Sequence, residues 1–351
     1  MLSVIWLLAA ATPLTALAQK ILPPPDGFIY HSAFPDFGGP EDRVTEKRIT
    51  DFESLAKKRI VWAYFSNNWK KRIKFPSKAI QTIYSHGTIP FVRLMARTNF
   101  DERPRRDTKY RLRKIIRGKF DKQLIAWAKK AKASNIPIMI EFGTEVNGFW
   151  FPWNAKWNGR RHKKKYGDPD KYDGAERFVD AYRHIVNIFR SENVQNVTWV
   201  FHVNARSFPK KVWNEMQRYY PGDDFVDWIG VSVYGALDSN SEWESFTEVL
   251  DEAYPKLAAI SATKPLAILE FGVDERPLEP GKKAEWIADA FKAITSNRYP
   301  RIKAISYWHE NWPNSSGTKT KLRIDSSPSA LKAYQDGVAN DMFTSVVYLG
   351  N

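Results

Sequence analysis

The sequence predicts an α/β fold, a single (β/α)8 TIM barrel, and three observations carry that expectation. Short, apolar, β-rich runs alternate with longer amphipathic ones along the 351 residues. Most of the short runs lack the half-polar alternation of a sheet with one wet face, so they read as parallel strands covered on both sides. Eight of them with helical patterns between fit one barrel with long loops. A doubly wound open sheet would need a ligand fingerprint such as a Gly-rich turn after the first strand, and none is present.

At the N-terminus, residues 2–18 (LSVIWLLAAATPLTALA) are uncharged and mostly apolar and end in Ala16-Leu17-Ala18. An apolar segment closed by a small-x-small site reads as an export signal cut after Ala18, although its first residues lack Lys or Arg. The expected product is a secreted or periplasmic protein in which residues 19–351 form one catalytic domain. Pro13 and the short length disfavour a membrane anchor, and no later run approaches the 18 apolar residues of a span. Strands are then expected at 27–31, 60–65, 89–95, 138–142, 197–203, 228–234, 266–271 and 302–308. Apolar residues at three- and four-residue spacing place helices at 120–133, 175–190 and 284–294.

Composition removes several chemistries. The chain has no cysteine, which rules out disulfides, thiol nucleophiles and thiolate zinc sites. Its six histidines show no pair at a metal-ligand spacing such as HExxH, so neither a metal nor another cofactor is expected. The formal charge of +15 leaves nucleic acid, a membrane surface or an acidic polymer open. Residues 97–119 hold ten basic and three acidic side chains, and residues 156–165 hold six basic and none acidic. Both segments follow strands, the third and the fourth, and so belong to the same rim of a barrel. The export signal, the closed barrel and the lack of a nucleic-acid-binding motif disfavour nucleic acid. The partner expected is a polysaccharide, with an anionic one as the reading that uses the charge, bound by a monomer.

Barrel enzymes carry reactive groups at the C-terminal ends of strands. The fourth strand leads through IMIEFGTE to Glu145, and the seventh, LAILEFG, closes with Glu270. Strands four and seven lie across the mouth from one another, so these two carboxylates can flank one bond, as glycoside hydrolysis requires. Trp69, Trp150, Trp153 and Trp157 sit in loops after strands, and Trp308 and Trp312 close or follow the eighth; indole faces suit the apolar faces of sugars. Any one tryptophan alone is more often core.

The stretch 145–153 (EVNGFWFPW) resembles the acid/base segment of glycoside hydrolase family 26, best known for β-mannanases. Residues 219–234 (YYPGDDFVDWIGVSVY) resemble its sixth-strand signature, and 266–272 its nucleophile strand. The resemblance implies a retaining (β/α)8 hydrolase of β-linked glycans, endo-acting and mannanase-like. Glu145 would be the acid/base, Glu270 the nucleophile, and Tyr234 the nucleophile's hydrogen-bond partner. Trp150 and Trp308 would line the subsites beside the scissile bond. Asn147, Trp153, Trp69 and His202 join the expected substrate-binding set. One position departs from the family: Thr144 stands where a histidine usually precedes the acid/base. That opens β-glucan, β-xylan or an acidic exopolysaccharide as substrates. His202, at the end of the fifth strand, is either a replacement imidazole or a structural histidine. Arg93 and Glu141 are expected as a buried supporting pair below the reacting groups. A non-catalytic polysaccharide-binding barrel is the alternative from another class, though a binder has no need of both carboxylates.

Overall fold

The computed structural model describes residues 20–100, 105–238, 240–276, 279–314 and 317–350. The expected export signal lies outside them. Eight parallel strands close into a barrel: β1 (Ile29–Phe34), β2 (Trp62–Asn68), β3 (Ile89–Met95), β4 (Ile138–Phe142), β5 (Val197–Asn204), β6 (Trp228–Tyr234), β7 (Leu266–Gly272) and β8 (Ile302–Trp308). Each pairs with its sequence neighbours, and β8 returns to β1 from Tyr30↔Ala304 to Phe34↔Trp308. β1 and β2 start two residues later than expected, and β5 and β7 end one residue later. β1 and β2 run three residues further, because Phe34 and the polar Ser66, Asn67 and Asn68 still have strand partners across the barrel.

Helices cover the outer wall: α1 (Glu46–Ala56), α2 (Ser77–Ser85), α3 (Asp121–Ser134), α4 (Asp173–Ser191), α5 (Phe246–Ala258), α6 (Lys282–Thr295) and α7 (Pro328–Val338). Their starts follow capping chemistry. Ser245 and Glu248 form a reciprocal capping box on α5, and Ser327 caps α7 with Pro328 at its first position. Between β5 and β6 two short 3-10 turns, Val212–Asn214 and Met216–Tyr219, replace the usual helix. Among the described residues, no helix is long and apolar enough to cross a membrane.

Even-numbered residues of β1, β2, β5, β6 and β8 and odd-numbered residues of β3 and β4 point into the barrel, and they change character with height. At the floor, Tyr30, Trp62, Phe91 and Trp228 pack edge to face or stacked, with centroids 5.8–6.4 Å apart. Above them the interior turns polar: Ser32, Ser66, Arg93, Glu141, His202, Ser232 and Ser306 are all buried. A mid-height layer of charge is costly unless each group is paired, so this layer has a purpose beyond packing. Below the floor, Lys20–Ile21 pairs antiparallel with Leu349–Gly350, and the Trp228 indole donates to the Ile21 carbonyl at 2.9 Å.

Candidate active site

Glu145 is presented by a turn and not by a strand. β4 ends at Phe142, three residues earlier, so strand alternation does not set its direction. Instead Gly143 (φ 76°) and Glu145 (φ 45°) both adopt the left-handed region. Gly143 is required there, since a Cβ would lie 2.4 Å from the Phe178 ring on α4. A left-handed glutamate costs on the order of 1–3 kcal/mol and persists only where its surroundings over-determine it. They do so here. The carbonyls of Thr144, Glu145 and Val146 accept from Trp153 Nε1, Gly148 N and Asn154 Nδ2 at 2.7–2.8 Å. The Glu145 carboxylate is buried and accepts a 2.7 Å bond from Trp150 Nε1.

Glu270 is aimed by a β-bulge. Val231 pairs with Ile268 but the next residue, Ser232, pairs with Glu270, so Leu269 is an extra residue in β7. The β8 side shows the same count, Ile268↔Ile305 followed by Phe271↔Tyr307. Ser232 faces inward, where its hydroxyl meets His202 Nε2 at 2.9 Å, and its register partner Glu270 faces the same way. Bulges beside active sites re-aim side chains in this manner. Gly230 leaves room for the extra residue, because a Cβ there would lie 2.1 Å from Leu269 Cδ1. Tyr234 donates its hydroxyl to Glu270 Oε2 at 2.8 Å.

Arg93 ties the layer together. Its guanidinium lies 2.8 Å from Glu41, 3.4 Å from Glu141 and 3.4 Å from Glu270, over the ring of Trp308 at 4.9 Å. Burial opposes its charge, but Glu41 and Glu270 hold the guanidinium firmly protonated. Burial would also lower His202; the charge and hydrogen bond of Glu141, 2.8 Å from Nδ1, instead keep that imidazole above its ordinary value. Glu141 stays below the usual carboxyl range in return, its burial offset by His202 and then Arg93. Glu270 behaves oppositely. Burial pushes its carboxyl up to about 8, Arg93 pulls against that, and the charge of Glu145 adds to the rise.

The expected site residues divide by exposure. Tyr234 and Trp150 reach the mouth, and Trp308 borders it while stacking on Phe34 at 4.1 Å. Trp69 and Trp153 are each 1% exposed, packed on Tyr110 and Phe151, so neither offers a ring face to a ligand, which corrects their expected role. Asn147 is fully buried. Its amide exchanges hydrogen bonds with the Asn204 backbone and reaches Ser207, so it fastens the Glu145 turn to the loop after β5. His202, 1% exposed, is engaged by Glu141, Thr144, Tyr64 and Ser232 and reads as the structural histidine. Thr144 is itself fully buried against His202. Sequence reasoning missed Glu41, which sits in the left-handed region and bonds Ser66 and Arg93, because nothing in its loop marks it as inward-facing. It also missed Phe208, 44% exposed with its ring 5.7 Å from Trp150.

Comparison with known proteins fits this geometry. Over 297 residues the chain is 30% identical to endoglucanase H of Acetivibrio thermocellus, a stretch covering 84% of this chain and 29% of that protein. Over 259 residues it is 22% identical to a β-1,3-xylanase of Alcaligenes sp., covering 66% of this chain and 49% of that protein. The chain thus spans less than half the length of either relative. Its fold is similar to that of a modular endo-β-1,4-mannanase from Cellulomonas fimi, with a TM-score of 0.62 at 19% identity over 91% of this chain and 72% of that one. Residues 97–267, from the end of β3 into β7, match the glycosyl hydrolase family 26 pattern, and it is to glycosyl hydrolase family 26 that the chain belongs.

Proposed function

We propose that residues 19–351 form one secreted, monomeric catalytic domain that hydrolyses β-linked polysaccharide internally with retention of configuration, on chains of the β-1,4-mannan type. The observation that carries this reading is the contrast between two buried carboxyls. Glu270 has a tyrosine hydroxyl at 2.8 Å and the Arg93 guanidinium at 3.4 Å, both of which favour its anion. Glu145 meets an indole N–H at the open edge of the cleft. Burial raises the Glu270 carboxyl, to about 8, and the charge of Glu145 adds to that rise.

In the reacting arrangement Glu145 carries the proton and Glu270 is the anion, contacted by Tyr234 and Arg93. Glu145 gives the proton to the glycosidic oxygen as that C–O bond breaks, and Glu270 bonds to the anomeric carbon. Glu145, now a base, takes a proton from water; the water oxygen displaces Glu270 from the same carbon. Two inversions give net retention, a geometry that calls for carboxyls ~5–5.5 Å apart.

The second reading keeps the mechanism and changes the sugar to β-glucan or β-xylan. It is favoured by Thr144, which is fully buried and bonded to His202, and by the relatives named for glucan and xylan. The test is a reducing-end assay on mannan, β-glucan and xylan, with NMR of the first anomer released. Glu145→Ala should lower kcat by roughly 10²–10⁴-fold, and Glu270→Ala should abolish turnover. Full activity in Glu270→Ala, or an inverted anomer, would sink the reading.

A further inference from the structure

Trp150 was expected as a sugar platform, yet its indole has a second use. The chain turns back sharply after Glu145, with Gly148 N donating to the Glu145 carbonyl at 2.7 Å. That turn brings a side chain five residues on beside the Glu145 carboxylate, and Trp150 Nε1 donates to Oε2 at 2.7 Å. Among the described residues this is the one hydrogen bond the carboxylate receives. Oε1 has no partner there, and unlike Oε1 of Glu270 it is not sealed from solvent. The two oxygens of Glu145 are therefore unequal: one is held by the protein and the other is left to the cleft.

The indole is itself fixed. It lies against Gly148, where a Cβ would come 2.3 Å from Trp150 Cζ2, so any larger residue would push the ring away. The rings of Phe149 and Phe208 flank it at 6.0 and 5.7 Å. Phe208 comes from the loop after β5, and its backbone is riveted to the Glu145 turn. Phe208 N donates to the Asn147 carbonyl at 3.0 Å, and Asn214 Nδ2 bridges that same carbonyl and the Pro209 carbonyl at 2.8 and 3.0 Å. An aromatic ring left 44% exposed is poorly used as core, but it is well placed to stop the indole from swinging.

We propose that Trp150 is a positioning residue for Glu145, whose N–H reserves Oε2 and so keeps the exchangeable proton on Oε1. An indole N–H donates and accepts nothing. The hydroxyl oxygen of a carboxylic acid is a far weaker acceptor than its carbonyl oxygen, so the bond to Oε2 favours the acid form with its hydrogen on Oε1. Oε1 then gives that proton to the glycosidic oxygen as the C–O bond breaks. In the second step the same atom takes a proton from the water that displaces Glu270. The indole bond to Oε2 is kept through both, and the acid never has to choose between oxygens. This inference rests on the reading of Glu145 as acid/base and Glu270 as nucleophile.

The test varies how much the leaving group needs a proton. The probes are aryl β-biosides of mannose, glucose and xylose carrying 2,4-dinitrophenol, 4-nitrophenol or phenol. Dinitrophenol departs without protonation and phenol requires it, while each sets an aryl ring in the same place beside Trp150. Trp150→Phe keeps a ring and deletes the N–H. On the sugar series that the unaltered protein cleaves, kcat/KM should fall about tenfold for phenol and stay within about twofold for dinitrophenol, a part of the roughly 10²–10⁴-fold that general acid catalysis supplies. A platform that only stacks would lower all three leaving groups alike. Equal falls, or no fall, in Trp150→Phe overturn the inference. Phe208→Ala keeps the N–H and frees the ring, so it should show a smaller spread of the same sign. Where Trp150→Phe does not fold, Phe208→Ala carries the test, and the absence of a spread there overturns the inference. Glu145→Ala should give the widest spread. If it gives none, or if the unaltered protein turns over no series, the reading of Glu145 falls and takes this inference with it. A spread in Glu145→Ala without one in Trp150→Phe sinks only the role given to Trp150.

Discussion

Two glutamates on neighbouring heights of one barrel are shifted in opposite directions by what surrounds them. Glu141 faces His202 and Arg93 and is kept ionised, whereas Glu270 is buried near Glu145 and pushed up to about 8. For Glu270 the folded value exceeds the ordinary 4.5, so between those limits the folded state binds more protons and stability falls as pH rises. Glu270→Gln removes that slope. Its melting temperature should gain on the unaltered protein by roughly 2–4 °C or more between pH 5 and pH 8; a constant offset in thermal melts would show that Glu270 titrates as an ordinary carboxyl. The Glu141–His202 pair has the opposite window. Its contribution is complete between the ordinary 4.5 of the carboxyl and 6.5 of the imidazole. Outside that window it fades as pH falls through the lowered Glu141 value or rises through the raised His202 value. Glu141→Gln should therefore cost about 3–5 kcal/mol within the window, the penalty for unpairing a buried ion, with most turnover retained in protein that remains folded. Complete loss of turnover with folding and binding intact would move Glu141 from support to chemistry.

At the level of elements, β7 and its neighbours decide where Glu270 goes. Gly230→Ala would set a methyl 2.1 Å from Leu269 Cδ1, and the bulge is the part that must yield. We expect a loss of about 1–3 kcal/mol from overpacking and a fall in kcat of up to ~10²-fold from a displaced carboxylate. Adding Leu269→Ala should recover much of the kcat, and additive effects in that double-mutant cycle would refute the coupling. The eight strands were legible in the sequence because parallel strands buried on both faces are written as apolar runs. The three helices expected from periodicity, α3, α4 and α6, form within two residues of the expected ends. The left-handed turn at Glu145 and the extra residue at Leu269 were not legible, since neither leaves a compositional trace. Glu41 was hidden for the same reason: its role comes from Arg93, a strand away. Trp69 and Trp153 misled because a loop tryptophan can pack inward, and only the third dimension distinguishes that from a sugar platform.

Across the whole molecule, charge and closure are separated by height. The aromatic floor and the pairing of Lys20–Ile21 with Leu349–Gly350 seal the end of the barrel away from Glu145. Removing residues 346–351 should cost about 1–2 kcal/mol of stability while leaving kcat/KM within about twofold; a larger change in rate would mean that the floor communicates with the mouth. The formal +15, which at first pointed to three kinds of partner, gathers in two segments with different settings. One lines a cavity beside Trp150 and the other lies over α4. Glu270, finally, depends on a count as well as on a letter. Leu269 makes β7 one residue longer than the facing stretch of β6, so position along the strand is information that no substitution matrix records. An ungapped comparison with a barrel lacking the bulge would set Leu269 or Phe271 in the glutamate's column and score the chain as inactive. An apparent loss of this carboxylate in such a comparison is to be recounted, residue by residue, from Gly230.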